Sequence, residues 1–383
     1  MNYNLENNTL TIYLKGDLNS NNANDIEKEL FSIIDKNTFT NLILDLKDLR
    51  YISSAGLRVV LRVKQKSSSL EIINVSLEVY DVFEMTGFTS MMNIKKALKE
   101  VDVSNATLIG EGYFSYVYRL DKDTIIKVFK FATDTKEIER EREMAKQAFI
   151  LGIPTAISFD IVKVGDKFGV RFEMLDSKSL RDIFLEHPQD FDYYANEYGH
   201  LIKKIGETES MSNDLPKTKE VWLNKLEVDK PYLDDEEYQK SLDFINSIPD
   251  VNTFVHGDCH IKNIMVRDKE LFLIDMDTLS QGHPIFELAS IYAPYVAFEE
   301  DDPGNIRRFL GIENEMSYAI YDKAVSITLG DLDSDLMRDK IKILAYIHMV
   351  WWNRMNEPQN EKRLNGCLGR LKDLLKKYKE LKF

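Results

Sequence analysis

The stretch FVHGDCHIKNIM, residues 254–265, decides how the rest of the chain is read. It sets His256, Asp258, Cys259, His260 and Asn263 between apolar flanks, and LFLIDMD follows at 271–277. A structural zinc site needs three or four sulfur, nitrogen or carboxylate ligands gathered by repeated short spacings. No CxxC pair and no second His/Cys cluster accompany this stretch, so zinc is set aside. Phosphoryl transfer makes different demands: backbone donors over phosphates, a cation on their charge, oxygen ligands for a divalent ion, and an acid–base group beside the acceptor hydroxyl. Asp258 and Asn263, followed by Asp275 at the end of an apolar run, supply carboxylate and amide oxygens of the kind that suits Mg²⁺.

The other parts lie upstream in the expected order. GEGYFS (110–115) makes the turn between two strands, where Gly110 and Gly112 let the backbone approach a phosphate and Ser115 ends the turn. One strand later, Lys127 in TIIKVFK is flanked by apolar neighbours that hold its ammonium inward, whereas Lys130 reads as an exposed strand lysine. In the charged helix that follows, Glu143 is the expected partner of Lys127, with Glu139 and Glu141 as rivals.

IGEGYFSYVYRL, IIKVFK, HGDCHIKNIMV and LFLIDMDTLSQGHPIFELA together resemble the aminoglycoside phosphotransferase and choline kinase branch of the protein-kinase-like fold. The resemblance implies an α+β bilobal domain over 100–383, with an N-lobe at 105–175 and a helical C-lobe at 176–383. It implies ATP, or GTP as the alternative, and Mg²⁺ in the cleft. Asp258 would then position and deprotonate the acceptor hydroxyl, and Asn263 and Asp275 would hold the metal. Lys127 would contact the α and β phosphates with Glu143 as its anchor, beneath a loop carrying Gly110, Gly112 and Ser115. FEML (172–175) would be the hinge, Glu173 and Leu175 receiving the adenine edge. His256 and His260 would brace the loop. Asp277 stands where protein kinases have glycine, and Glu287 where this branch usually has aspartate.

The first hundred residues alternate short strands and helices: TLTIYLKG, NANDIEKELFSII, NLILDL, SSAGLRVVLRVKQKS, LEIINV and SLEVYDVFEMTGF. That order favours an α/β sheet domain. LKGDLNSNNANDIEKEL, NLILDLKDLRYISSAGLRVVL and VYDVFEMTGF resemble STAS domains of the anti-sigma factor antagonist type, which implies helices on one side of the sheet over 1–99. The phosphorylatable serine of that family corresponds to Ser54, and Ser53 takes the place of the usual acidic residue before it. Serines at this place also serve as helix N-caps.

The 383 residues suggest two or three domains, and 44% hydrophobic content is enough for sizeable cores. A net charge of −14 argues against nucleic-acid binding. No run approaches the roughly 18 apolar residues of a membrane span. A polar amino terminus and only two cysteines point to the cytoplasm. LDDEEY (233–238) and FEEDDPG (298–304) read as solvated loops, and Trp351 and Trp352 as core. The expected activity is Mg-ATP-dependent phosphorylation of a small-molecule hydroxyl, with the STAS module regulating or docking a protein partner. Two alternatives stand beside it: a signalling kinase acting on Ser54, in cis or in trans, and a nucleotide-binding pseudokinase.

Overall fold

The alternation in TLTIYLKG becomes the strand Thr9–Leu18, which buries Leu10, Ile12 and Leu14 and turns Tyr13 and Lys15 outward. The computed structural model describes residues 1–112, 114–132, 135–175, 177–210 and 215–383, which divide into two compact units, Met1–Asp102 and Val103–Phe383. Tyr113, inside the glycine-bearing stretch, lies outside the described residues. Among the described residues no helix is long and apolar enough to cross a membrane.

In the first unit the sheet order is Asn2–Glu6, Thr9–Leu18, Asn41–Ile52, Leu70–Val75, Asn93–Lys96. The first pair is antiparallel and the later pairs are parallel. Parallel neighbours need crossovers, and the helices Ala23–Lys36, Ser54–Lys66 and Leu77–Met85 supply them. Leu30, Val60, Val63 and Phe83 from these helices share one core with Leu42, Leu44 and Ile72 from the strands. Gly56 is required where it stands: a Cβ there would meet Leu18 at 2.7 Å and Ile52 at 2.8 Å. That close approach is the physical content of the ISSAGLR signature.

The second unit begins with antiparallel strands. Val117 pairs with both Gly110 and Lys127, and Lys127 pairs with Val170, so one row across the sheet joins the glycine-bearing hairpin to the lysine. The helix Lys136–Ile150 turns Ile138, Met144, Ala145 and Ala148 inward. The remainder is helical. Phe191–Glu207, Thr218–Asp229, Ile285–Tyr292, Asn314–Leu329 and Asp335–Asn356 bury a large apolar core around short strand pairs.

The acidic runs are bound in part, while Asp235 and Glu236 stay exposed. Asp234 and Glu237 form a reciprocal capping box on the helix Asp235–Ser247. Glu300 and Asp301 are both held by Arg370.

Candidate active site

Two short antiparallel pairs bring the acidic residues together. Phe254–Val255 pairs with Ser280–Gln281, and Ile264–Arg267 pairs with Glu270–Leu273 around a tight turn. Asp268 and Lys269 make that turn with φ of 51° and 69°, the left-handed pair that matches the twist of a hairpin. Because Ile264 is registered with Leu273, Asn263 lies beside Ile274, whose N–H donates to the Asn263 carbonyl at 3.0 Å. Asp275 comes next, at φ 65°, a left-handed conformation uncommon outside glycine and one that a non-glycine residue adopts at some cost.

The loop from His256 to Asn263 is tied at many points. Glu287, fully buried, accepts from the His256 N–H at 2.5 Å and the Gly257 N–H at 3.0 Å. Thr278 Oγ1 donates to the His256 carbonyl at 2.6 Å, and the Tyr198 hydroxyl donates to the Cys259 carbonyl at 2.6 Å. The Ile261 N–H donates to the Tyr295 hydroxyl at 3.0 Å. His256 is buried, and burial lowers its pKa to about 4, so its Nδ1 is free to accept from the Asp258 N–H at 3.3 Å. His260, also lowered to about 4 by burial and by Lys262, presents Nε2 at 3.7 Å from Asp258 and packs edge-on against Phe309. Both histidines are therefore neutral supports.

Asp258 is oriented by Asn263, whose Nδ2 donates to the Asp258 carbonyl and to its Oδ2, each at 3.0 Å. Burial, then Asp275 and Asp277, push the Asp258 carboxyl up to about 7, against the Asn263 hydrogen bond. A carboxylate with that affinity for a proton suits a general base.

Lys127 Nζ contacts Asp275 Oδ1 at 2.7 Å and Glu141 Oε1 at 2.9 Å. Burial pulls its pKa down, but the two carboxylates more than offset this and keep it charged. The expected anchor Glu143 is not the partner: it is exposed and lies 3.8 Å from Lys146. Helical geometry explains the exchange. Ile138, Glu141, Ala145 and Ala148 share the inward stripe at three- and four-residue spacing, and Glu143 lies off it. The same periodicity, read from the sequence, would have selected Glu141.

Lys130 also differs from expectation. Its Nζ reaches Glu111 at 2.9 Å and the Gly112 carbonyl at 2.8 Å, gripping the hairpin. Gly112 N–H donates to the Ser115 carbonyl at 2.9 Å, and Ser115 is buried at the strand start. In the hinge stretch the Glu173 N–H donates to the Ile157 carbonyl and the Met174 N–H to the Asp123 carbonyl. Leu175 joins Ala156 and Phe272 in a small apolar cluster.

Among the described residues no group of three or more His, Cys, Asp or Glu is placed to enclose a metal. The donor set nevertheless fits Mg²⁺, which is commonly held by one or two carboxylates plus substrate phosphates and water rather than by an all-protein cage. Asn263, with its amide nitrogen on Asp258, keeps its oxygen for such a role, and Asp275 already attracts the Lys127 cation.

Asp258, Asp275 and Asp277 line one end of a cleft of about 1080 Å³. Its far end was not foreseen. Trp222, Lys225, His348, Trp351 and Trp352 line it, the last two half-buried rather than core. Lys225 Nζ lies 3.8 Å from the Trp222 ring and 2.9 Å from His348 Nδ1. Burial lowers Lys225 to about 7 and pushes the neighbouring Asp229 well up.

In the first unit, Ser53 caps the helix Ser54–Lys66 by accepting from the Gly56 N–H at 3.4 Å, and Ser54 is exposed as the first helical residue.

Comparison with known proteins agrees with this division. Residues 1–101 match the STAS domain, and residues 105–319 match the phosphotransferase enzyme family APH. The putative anti-sigma factor antagonist BtrV of Bordetella bronchiseptica is 42% identical over 85 residues, covering 21% of this chain and 72% of that protein. Among solved structures, the GDP complex of wild-type aminoglycoside 2'-phosphotransferase-IIIa is 13% identical with a TM-score of 0.47, covering 78% of this chain and 98% of that one. An amicoumacin kinase in complex with AMP-PNP and Ca²⁺ is 12% identical with a TM-score of 0.47, covering 77% of this chain and 93% of that one. The chain belongs to the APH phosphotransferase family and carries a STAS domain at its amino-terminal end.

Proposed function

We propose that the protein transfers the γ-phosphoryl group of Mg²⁺-ATP, or of GTP as the alternative nucleotide, to a hydroxyl of a small molecule. The observation that carries this reading is that Asp258, held by Asn263, and Asp275, paired with Lys127 and through it with Glu141, line one cleft.

Asp258 accepts the proton of the acceptor hydroxyl, whose oxygen forms a new bond to the γ-phosphorus. The bond from that phosphorus to the bridging oxygen breaks, and the nucleoside diphosphate leaves with the electron pair. Lys127 places positive charge on the α and β phosphates, and Glu141 keeps it aimed. Gly110, Gly112 and Ser115 cover the phosphates from the hairpin. The hinge Glu173–Leu175, with the apolar seat of Ala156 and Phe272 behind Leu175, receives the base. Mg²⁺, held by Asn263 and Asp275, supplies charge neutralisation on the phosphate oxygens when bound.

The STAS domain serves as a docking or regulatory module for a protein partner. The test is nucleotide consumption and product mass across a panel of hydroxylated metabolites, with Asp258→Ala as the blank. Acceptor-dependent consumption that persists in Asp258→Ala defeats the assignment.

One observation favours a second reading: Ser54 is exposed at a helix start, where added phosphate meets the helix dipole. Radiolabel on the wild type that is absent from Ser54→Ala and from Asp258→Asn supports a kinase acting on this serine. Label undiminished in Asp258→Asn removes that reading.

A further inference from the structure

The far end of the cleft has a chemistry of its own. Lys225 is 8% exposed, and its Nζ lies 3.8 Å from the centroid of Trp222 and 5.0 Å from that of Trp351. The His348 ring stacks near both indoles, 6.0 Å from Trp222 and 5.5 Å from Trp351. An ammonium has three donors. Among the described residues, His348 Nδ1 is the one hydrogen-bond partner that Lys225 has, at 2.9 Å. Asp229, one helical turn on and fully buried, takes up none of those donors: neither of its oxygens has a hydrogen-bond partner among the described residues. A cation held against aromatic faces with donors to spare is arranged to receive an oxyanion.

The carboxylate that lines this end beside the tryptophans is already committed. Glu357, which lines this end, is bonded to Arg363. The carboxylates Asp258, Asp275 and Asp277 gather at the phosphate end. Among the groups around Lys225 that line the cleft are its ammonium and the flat indole walls of Trp222, Trp351 and Trp352.

We propose that the acceptor pairs a flat ring with a carboxylate: the ring packs against Trp351 and Trp352, the carboxylate bonds to Lys225, and a hydroxyl is left facing Asp258. This deepens the transferase reading and rests on it for the role of the hydroxyl. It distinguishes the acceptor from a polycationic amino sugar, which would bring ammonium groups to an ammonium.

The test uses the full-length Asp258→Asn protein, in which binding is read without turnover. Calorimetric titration compares 4-nitrophenyl glucuronide (ring, hydroxyls and carboxylate), 4-nitrophenyl glucoside (the same without the carboxylate) and kanamycin (a polycation). The glucuronide is expected to bind on the order of tenfold more tightly than the glucoside, the size of effect a charge-assisted hydrogen bond produces. Adding Lys225→Met should erase that ratio while the glucoside affinity holds. Trp351→Ala should weaken both glycosides together. The glycoside ratio in the Lys225 protein needs no further variant, so the test survives if Lys225→Met does not fold. A ratio below threefold, no binding of either glycoside, or tighter binding of kanamycin overturns the proposal. Phosphorylation of kanamycin by the wild type would uphold transfer and defeat this inference. Glucuronide binding with no acceptor phosphorylated would defeat transfer and leave the subsite standing.

Discussion

Two turns carry the most telling motifs of this chain, and the structure treats them differently. The ISSAGLR turn is local: Ser53 caps its own helix, Gly56 lets that helix approach Leu18 and Ile52, and Ser54 faces outward. The HGDCHIKN turn is held from outside itself, by Glu287, Thr278, Tyr198 and Tyr295, all far from it or beyond it in the chain. A side chain that must meet a reacting atom needs neighbours that leave its backbone no alternative. A side chain awaiting modification needs accessibility. The first turn has that accessibility at Ser54, and the second has that outside hold on Asp258.

The largest effect expected from this contrast is at Asp258. Asp258→Asn should lower transfer by about 10²–10⁴-fold, the contribution of a positioned general base, while nucleotide binding measured by calorimetry is kept. Loss of both together would mean that the loop, and not only the base, had been lost.

Next comes the anchor of Lys127. Glu141→Ala should destabilise the protein by about 1–3 kcal/mol in denaturant unfolding, because a buried charged donor loses one acceptor. Glu143→Ala should stay within about 0.5 kcal/mol, as an exposed surface change does. The reverse ranking would restore the original expectation from sequence.

Glu287 tests whether outside support has the pH signature of burial. Its carboxyl is raised to about 7, chiefly by burial, with the backbone donors of Gly257 and His256 opposing. The folded state therefore holds this proton more tightly than the unfolded chain. The stabilisation is full below the unfolded carboxyl range and is lost as pH rises through about 7. Melting of wild type and Glu287→Gln at pH values on either side should show the wild type losing ground to the variant as pH rises. Parallel curves would mean that Glu287 titrates normally.

The smallest effect belongs to the local turn. Ser53→Ala should cost about 0.5–1 kcal/mol, the low end for an N-cap, in keeping with a long hydrogen bond of 3.4 Å. Ser54→Ala should stay within about 0.5 kcal/mol. A larger loss at Ser54 would show that this serine has a structural duty, which sharpens rather than blurs the contrast.

The site divides by how far apart its residues lie in the chain. Asp258, Asn263 and Asp275 were legible because a loop and one hairpin join them, and the Ile264–Leu273 register carries Asn263 to Ile274. Glu141 was legible in principle, since Ile138, Ala145 and Ala148 mark the inward stripe, but type and approximate distance from Lys127 pointed equally to its neighbours. Lys130 looked like an ordinary strand lysine because its partners, Glu111 and Gly112, belong to the hairpin two strands away. The acidic run at 298–304 looked solvated because Arg370, which binds Glu300 and Asp301, lies in a distant helix.

The amino-acid sequence alone determined the two domains, the order of the glycine hairpin, Lys127, Asp258, Asn263 and Asp275, and the serine turn, because backbone periodicity and short spacings act over a few residues. Tertiary structure decided which glutamate holds Lys127 and which side chains gather around Lys225 in the cleft. Lys225 and His348 stand 123 positions apart and meet only when two helices pack. Packing depends on how whole apolar faces fit together, and no local spacing encodes that fit.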